Sequence, residues 1–345
     1  MELKNTTSFE AAAVPFQGPD RKPVLTLIVK GTFEFQPDGI VNPAEKQIPI
    51  AYGDEVNSEG DLASVRFESD MAPFKPKSDI ILVGQAHAPE GKTVQVLDVS
   101  LRVGETSKTI RVFGDRHWEV TGTILKETPS VPKPFSSMDI VYERAFGGID
   151  MDGGGYCREN LAGVGFYAAK KRKSIKGAPL PNIEDPRMLI KTRKDCPTPA
   201  GFGYYGRAWE PRLGYLGTYD QKWRKERAPD LPDDFKFEFY NAAHPDLQIN
   251  EYLYGTETVE MKHLTPEALV RFRLPGIRLG AAVTKYSGDD SSAFTEDDTF
   301  VEDVKFNLDT LCLLPEERQF FMVWRGLCLL RDLSAEEVKM IEIST

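Results

Sequence analysis

The chain has 345 residues, of which 41 % are hydrophobic and 28 % are charged, and its formal net charge is −10. This composition supports a sizeable core and excludes a disordered chain, and the length allows one large domain with an insertion or two domains. The acidic balance argues against a general nucleic-acid binder, because phosphate contacts need a surplus of Lys and Arg.

The N-terminal stretch MELKNTTSFEAAAVPF has no apolar run of signal-peptide length, and no window approaches the ~20 apolar residues of a membrane span. The four cysteines, Cys157, Cys196, Cys312 and Cys328, show no CxxC spacing. Cys312 and Cys328 lie in apolar runs, where cysteine usually behaves as a small buried hydrophobe. We therefore expect a reduced, cytoplasmic protein without membrane insertion.

Residues 1–145 predict a β body. VLTLIVKGTFEF (24–35) is rich in Val, Ile, Thr and Phe without proline, and IILVGQAHA (80–88) is similar. VQVLDVSLRVG (94–104) alternates apolar and polar residues, which is typical of a strand with one wet face. The turn GETS leads into a second alternating run at 108–120, so this pair predicts a hairpin. The fold class is therefore mainly β, a β-sandwich or an open-barrel-like body.

Residues 146–265 change character and predict a long, loop-rich, partly helical insertion. Stretches such as CPTPAGFGYYGRAWEPRLGYLGTYD contain too much Gly and Pro for regular sheet and too many aromatics for a solvated linker. TYDQKWRKERAPDLPDDF predicts a short helix that ends before Pro229.

Residues 266–345 predict a return to the β body. VRFRLPG (270–276) alternates, and the run 300–330 indicates two strands around the turn PEER. In the tail SAEEVKMIEI, Ser334 precedes Glu337 by three residues, a capping-box spacing that predicts a short C-terminal helix.

No local motif indicates catalysis, a cofactor or a metal. GFGYYG (201–206) lacks the preceding strand that a dinucleotide site needs, and the acidic loops 150–155 and 289–298 lack the order of a calcium loop. His87, His117, His244 and His263 show no zinc spacing, and there is no G-x-S-x-G elbow. Separated residues can still form a triad. The basic run 170–176 favours a solvated loop or an acidic partner.

Three charged clusters lie beside strands: RFESDMAPFKPKSD from residue 66, GDRHW (114–118) and YERAFGG (142–148). One interpretation is that buried ion pairs clamp the insertion onto the sheet; the candidates are Arg66, Asp70, Lys75, Asp79, Asp115 and Glu143. The other is a partner-facing patch, since Arg, Tyr and Trp are the usual interface anchors; the candidates are Arg116, Trp118, Arg144, Arg207, Trp209, Arg212 and Tyr215. The two interpretations are compatible.

These clusters, together with LDVSLRVG, EPRLGYLGTYDQKWRKERAPDLPDDFKFEFYNAAHPD and LDTLCLLPEERQFFMVWRG, closely resemble the DUF2169 family over nearly the whole chain. The resemblance implies a cytoplasmic, non-enzymatic adaptor or chaperone of a bacterial type VI secretion system. It implies that the partners are an effector with a PAAR or similar tip domain and the VgrG spike. No site residue is implied by it.

Two alternatives stay open. A hydrolase or small-ligand-binding enzyme requires a pocket in which His87 or His117 meets a nucleophile and a carboxylate. A structural component of the secreted spike requires that the chain itself leave the cell.

Overall fold

The computed structural model describes residues 1–60, 62–122, 126–168, 175–287 and 299–345. The protein is mainly β, with 42 % strand and 8 % helix, and its largest sheet curls into a half barrel. The prediction of a β-rich body is therefore confirmed. The acidic loop 289–298 and most of the basic run 170–176 lie outside the described residues.

In chain order the strands are β1 (Glu2–Asn5), β2 (Glu10–Gln17), β3 (Pro23–Phe35), β4 (Val41–Pro43), β5 (Glu55–Val56), β6 (Val65–Phe67), β7 (Ser78–Leu82), β8 (Gln85–His87), β9 (Val96–Val103), β10 (Thr106–Phe113), β11 (Trp118–Thr121), β12 (Lys126–Pro129), β13 (Ser137–Asp139), β14 (Phe146–Gly147), β15 (Val164–Gly165), β16 (Ile183–Glu184), β17 (Gln248–Ile249), β18 (Thr258–Lys262), β19 (Leu269–Arg273), β20 (Gly280–Tyr286), β21 (Thr299–Leu314), β22 (Gln319–Leu329) and β23 (Val338–Ser344). The α-helix of the described residues is α1 (Gln221–Glu226), and short 3₁₀ turns are formed by Pro19–Arg21, Pro89–Gly91, Tyr142–Arg144, Arg212–Tyr215, Phe237–Tyr240 and Pro245–Leu247.

The largest sheet has the order β1-β23-β20-β21-β22-β3-β2. Its longest strand, β21, pairs with β20 through its first half and runs parallel to β7 through its second half, while β22 pairs along its other edge. Strands from both ends of the sequence thus share one sheet. The predicted boundaries at 145 and 265 stay a prediction.

A second sheet has the order β16-β10-β9-β18-β19. The predicted hairpin is its centre, because β9 and β10 pair from Val103–Thr106 to Val96–Phe113. Leu97, Val99, Leu101 and Val103 of β9 are buried and Asp98 and Arg102 are exposed, as the alternation predicted. Stacked rings join the two sheets: Phe272 lies 4.8 Å from Phe35 and 5.2 Å from Phe320 between ring centroids.

The insertion packs its aromatic residues into the same core. Tyr205 and Trp209 are buried against Tyr142 in a mutual edge-to-face arrangement, with ring centroids 5.3–5.6 Å apart. Such pairs add stabilisation beyond the area they bury. The predicted short helix is confirmed as α1, and the Asp220 carboxylate caps it by accepting the Trp223 N–H at 2.8 Å.

The predicted C-terminal helix is wrong, because Val338–Ser344 forms strand β23 between β1 and β20. Ile341 and Ile343 are fully buried opposite Val283 and Ala281, so burial in the sheet outweighs the local signal. The Ser334 hydroxyl accepts the Glu336 N–H at 3.3 Å in a turn, and the Glu337 carboxylate accepts the Arg331 N–H at 2.7 Å. The capping-box residues organise a loop instead of a helix.

Candidate functional site

The three charged clusters of the sequence meet at one open cleft of about 760 Å³, here called the charged cleft. It lies where β7, the turn after β21, the 3₁₀ turn Tyr142–Arg144 and the segment before β16 come together. Its lining residues are Asn57, Ser58, Arg66, Val83, Gly84, Gln85, Asp115, Arg116, Asp139, Val141, Glu143, Arg144, Val164, Pro179, Leu180, Asn182, Glu316 and Glu317. Of the predicted site residues, Arg66, Asp115, Arg116, Glu143 and Arg144 are therefore neighbours.

Arg144 has a side chain that is 36 % exposed. Its Nη1 donates to Asn182 Oδ1 at 3.3 Å and lies 4.0 Å from the carboxylate of Asp115, a loose ion pair. Asn182 is itself buried, and its Nδ2 donates to Asp115 and to the carbonyl of Phe113 at 3.1 Å each. Asn182 therefore orients Arg144, and the exposed part of its side chain can contact another molecule.

Arg66 lies at the same cleft with 43 % of its side chain exposed. Its Nη1 contacts Glu55 at 3.2 Å, a surface pair of the kind that contributes about 0–1 kcal/mol. Glu143 is held more firmly, because its two oxygens accept the N–H and the hydroxyl of Ser64 at 2.8 and 2.7 Å. Glu143 thus fixes the strand β6 end that carries Arg66.

Arg116 forms the inner wall of the cleft and is almost fully buried. It stacks over Phe113 at 3.6 Å from the ring centroid, donates to the Pro181 carbonyl at 3.0 Å and forms an ion pair with Glu184. Burial lowers the pKa of Arg116 and raises that of Glu184, although each charge favours the other. Because its N–H groups donate to Pro181 and Glu184 within the chain, Arg116 has a structural role: it joins the segment after β10 to the segment around β16.

The rim of the cleft is acidic. Its lining includes five carboxylates, those of Asp115, Asp139, Glu143, Glu316 and Glu317, against three arginines. Asp139 accepts from Gln85 at 2.8 Å and Glu316 lies 2.8 Å from His87 Nε2. Because Arg116 is neutralised by Glu184, the surface that faces solvent carries two accessible guanidiniums within a surplus of negative charge.

A model of the family described as "Uncharacterized protein conserved in bacteria (DUF2169)" matches residues 20–325. The chain belongs to the DUF2169 family. No curated protein and no solved structure matches it. The matched range contains every residue that lines the charged cleft, so the cleft is part of the DUF2169 region.

In this DUF2169 chain three of the clamp candidates, Asp70, Lys75 and Asp79, form buried ion pairs at the large sheet. Lys75 Nζ contacts Asp79 at 2.8 Å and the hydroxyl of Thr310 at 3.0 Å, and Asp79 is fully buried. Asp70 pairs with Lys30 at 2.9 Å and accepts the Ala51 N–H at 2.8 Å. Each carboxylate thereby ties a loop to a strand. That these residues act as structural clamps stays a prediction.

A third buried ion pair joins the insertion (residues 146–265) to the N-terminal β body (residues 1–145). Arg212 is fully buried and makes a two-pronged pair with Glu68, at 2.7 and 2.8 Å, while Arg207 donates to the same carboxylate at 3.0 Å. Burial by itself raises the pKa of Glu68, but Arg212 and Arg207 together hold it below its usual range. The predicted partner contact Arg212 is thus used inside the DUF2169 fold.

The remaining partner candidates, Trp118, Trp209 and Tyr215, do not line the charged cleft. Trp118 is buried in a small separate cluster with Phe146 and Ile175, and Trp209 is buried in the main core. Tyr215 is half-buried, and its carbonyl accepts the Lys236 N–H at 2.9 Å. That these three contact a partner stays a prediction, and the geometry gives them packing roles within the chain.

His117 is the histidine that comes nearest to the enzyme alternative. Its Nδ1 lies 3.4 Å from the Ser130 hydroxyl and its Nε2 lies 3.9 Å from Glu119. The same hydroxyl, however, accepts the backbone N–H of His117 at 3.0 Å, and the imidazole and carboxylate are both about half exposed to water. His117 and Ser130 do not line the charged cleft, so this group has the residue types of a triad but lies outside the cleft.

Metal binding is not indicated by the described residues, which contain no group of three or more His, Cys, Asp or Glu placed to hold a metal ion. In the acidic loop 150–155, the buried Asp150 accepts the N–H groups of Gly153 and Ala168 at 2.9 Å each. Its carboxylate orders the loop.

Across the ranges that the structure covers, the helices are too short or too polar to cross a bilayer.

His244 makes stability depend on pH. It is buried, its Nδ1 accepts the Asp246 N–H and its Nε2 faces the Pro199 carbonyl, which suits the neutral ring. Burial, together with nearby Lys108, lowers its pKa to about 4. In the unfolded chain the His244 imidazole becomes protonated below about pH 6.5. In the native chain the same imidazole stays neutral until about pH 4, so protonation favours the unfolded state between these pH values.

We therefore expect the free energy of unfolding to fall by roughly 2–3 kcal/mol between pH 6.5 and pH 4 because of His244. Urea unfolding across this range measures the effect. His244→Asn, which keeps an acceptor for the Asp246 N–H, should show a shallower slope. Parallel pH curves for the two proteins would contradict this account.

Sequence reasoning missed three residues of the cleft that matter for its chemistry. Asn182 lies in a proline-rich loop with no motif, although it positions both Arg144 and Asp115. Glu316 and Glu317 belong to the predicted turn PEER, and no motif places that turn beside the charged clusters. Their acidity was visible in the sequence, but their proximity to the three charged clusters depends on the parallel pairing of β7 with β21.

Proposed function

We propose that this DUF2169 chain is a non-enzymatic adaptor that binds a type VI secretion effector in the cytoplasm and helps load it onto the VgrG spike. The effector is expected to carry a PAAR or similar tip domain. The family resemblance motivates the secretion context. The observation that carries a binding role is the convergence of Arg66 and Arg144, both partly exposed, at the acidic rim of the charged cleft.

The chemistry of the lining favours a polypeptide over a small molecule. Pockets for small ligands are mostly apolar with a few polar groups, whereas this cleft is open and rich in charge. Its two guanidiniums suit carboxylates or backbone carbonyls of a partner, and its rim carboxylates suit Lys or Arg side chains. Arg is also among the residues that contribute most to protein interfaces.

The test is to co-express the chain with the effector encoded beside it and to measure their affinity. The double variant Arg66→Ala/Arg144→Ala should bind the effector at least about tenfold more weakly, because both arginine contacts with the effector are removed. A tenfold change corresponds to about 1.4 kcal/mol of binding free energy. The stability of the double variant should change by less than about 1 kcal/mol, since Arg66 makes one exposed ion pair and Arg144 makes a loose ion pair and one long hydrogen bond, at 3.3 Å to Asn182.

Arg271→Ala is the matched control, because Arg271 is an exposed arginine of β19 that pairs with Glu260 of β18 and does not line the charged cleft. It should leave effector binding unchanged, as should Ser130→Ala, which removes the hydroxyl of the enzyme alternative. The proposal fails if the effector binds the double variant as tightly as the native chain, or reaches the spike in soluble form without this protein. Recovery of the chain from culture supernatant beside the tip protein would instead favour a secreted spike component.

A further inference from the structure

A second concave surface lies beside the middle of β21, away from the turn that carries the rim of the charged cleft. It has a volume of about 390 Å³ and is formed by residues 252–254, 277–279 and 305–308, with Trp324 beneath them. We call it the basic groove. Six residue steps along the strand, from Leu308 to Leu314, separate it from the turn that carries the cleft rim. At about 3.3 Å per residue this distance is about 20 Å.

The groove originates in a gap in strand pairing. Along one edge of β21, pairing with β20 ends at Gly280–Lys305, and the next contact on that edge is the bridge between Leu253 and Leu308. Phe306 and Asn307 lie between these points and have, among the described residues, strand partners only on β22. The segments on either side diverge here and leave their edge of β21 uncovered.

The charge of the groove is opposite to that of the cleft. Arg278 and Lys305 are both exposed, and neither forms an ion pair with any residue that the structure describes. Of the described residues that line the groove, none carries a carboxylate. Asp303 and Glu342 line the adjoining depression, where Glu342 pairs with Lys4. The chain as a whole has a net charge of −10, so two exposed cations without acidic partners form a local positive patch. Such a patch attracts negatively charged groups of another molecule.

The groove also offers apolar contacts beside these cations. Ile277, Leu279 and Phe306 are half-buried, and Tyr254 is 72 % exposed at the edge. A large exposed aromatic next to an arginine is the composition that anchors protein interfaces. The volume is near the lower end of the range for ligand pockets, so it suits one or two side chains of an extended segment and not a folded domain.

We propose that the basic groove binds an extended segment of a second protein partner, in which Asp or Glu residues flank a bulky apolar side chain. The apolar side chain packs against Phe306 and Tyr254, and the carboxylates pair with Arg278 and Lys305. This site is separate from the charged cleft in place and in charge. An adaptor with both sites bridges a partner that bears basic groups and a partner that bears acidic ones.

Selection of a randomised twelve-residue peptide display library on the immobilised native protein tests the proposal. Enriched peptides should combine Asp or Glu with Phe, Tyr, Trp or Leu, and higher salt should weaken them, since exposed charge pairs are screened. Against Arg278→Glu/Lys305→Glu their affinity should fall at least about tenfold. Tyr254→Ala, which leaves the charge unchanged, should also weaken them.

Lys222→Glu/Lys225→Glu is the matched control, because it makes the same charge change at two exposed lysines of α1 and should preserve binding. The proposal is overturned if no peptide depends on both groove cations, or if the enriched peptides lack acidic residues. Arg66→Ala/Arg144→Ala should bind the groove peptides normally. Failure of the adaptor proposal and failure of the groove proposal are therefore distinguishable.

Discussion

Replacement of Asp79 with alanine should lower the free energy of unfolding by about 3–5 kcal/mol. Asp79 is fully buried on β7 and accepts the N–H groups of Ala242 and Ala243 at 2.9 and 3.2 Å and the Asn241 amide at 3.1 Å. It also pairs with the buried Lys75 at 2.8 Å. Alanine leaves two backbone donors and an ammonium group without this acceptor, in a site closed to water.

Equilibrium urea unfolding of native and variant protein measures this loss. Glu55→Ala is the matched control, because Glu55 also pairs with a cation but is 57 % exposed, so its removal should cost less than about 1 kcal/mol. Asp79→Asn keeps the shape and one acceptor oxygen and should fall between the two. A loss below about 1 kcal/mol for Asp79→Ala would show that the clamp does not hold the insertion onto the sheet.

Strands could be predicted from the sequence where one face is buried and the other is exposed to solvent, because apolar and polar residues then alternate. The alternation in β9 and the apolar run of β3 both identify strands, and the prediction is confirmed by the structure. Local pattern failed where a distant contact decides the conformation. The predicted strand 80–88 breaks at Gly84, where a Cβ atom would lie 3.1 Å from Pro315, a residue far along the chain.

The second predicted strand, 108–120, breaks for the same kind of reason. Gly114 lies so close to the Lys133 carbonyl oxygen that a Cβ atom would be 1.7 Å from it, and the chain restarts as β11 at Trp118. Such close approaches are not encoded in local periodicity. The C-terminal capping pattern failed similarly, because the partners of β23 are the first strand of the chain and β20.

The charged clusters were identifiable from the sequence, but their division between surface and interior was not. Arg144 and Arg212 have the same side chain and both lie in aromatic-rich segments, yet Arg144 lines an open cleft and Arg212 is fully buried. The two arginines differ in the burial of the carboxylate with which each forms an ion pair. Glu68 is buried beneath Arg212, whereas Asp115 is exposed beside Arg144. Burial of a partner is set by tertiary packing and carries no local signature.

Arg212→Met should therefore be among the most damaging single substitutions, with an expected loss of about 3–5 kcal/mol. Its guanidinium satisfies both oxygens of Glu68 and also donates to the carbonyls of Tyr205, at 2.6 Å, and Phe239, at 2.7 Å. Methionine fills a similar volume but donates nothing. Limited proteolysis should show new cleavage between residues 201 and 240 before the sheets open, because this clamp joins that segment to the first β segment.

Arg207→Met is the matched control for Arg212→Met. Arg207 donates to the same Glu68 carboxylate, but its side chain is 38 % exposed, so we expect a loss of about 1 kcal/mol. Equal losses for the two variants would contradict the argument that burial, and not the charge pair alone, makes Arg212 the stronger clamp.

The pH dependence gives an independent check of the mechanism at Glu68. Because the arginines hold its pKa below the ordinary value of about 4.5, the native chain gains stability from the ionised carboxylate above that pH and loses it as the pH falls. Arg212→Met removes most of this contribution. The difference in unfolding free energy between native and variant protein should be largest near pH 7 and shrink below about pH 4.5. A difference that stays constant with pH would assign the effect to packing and not to the ion pair.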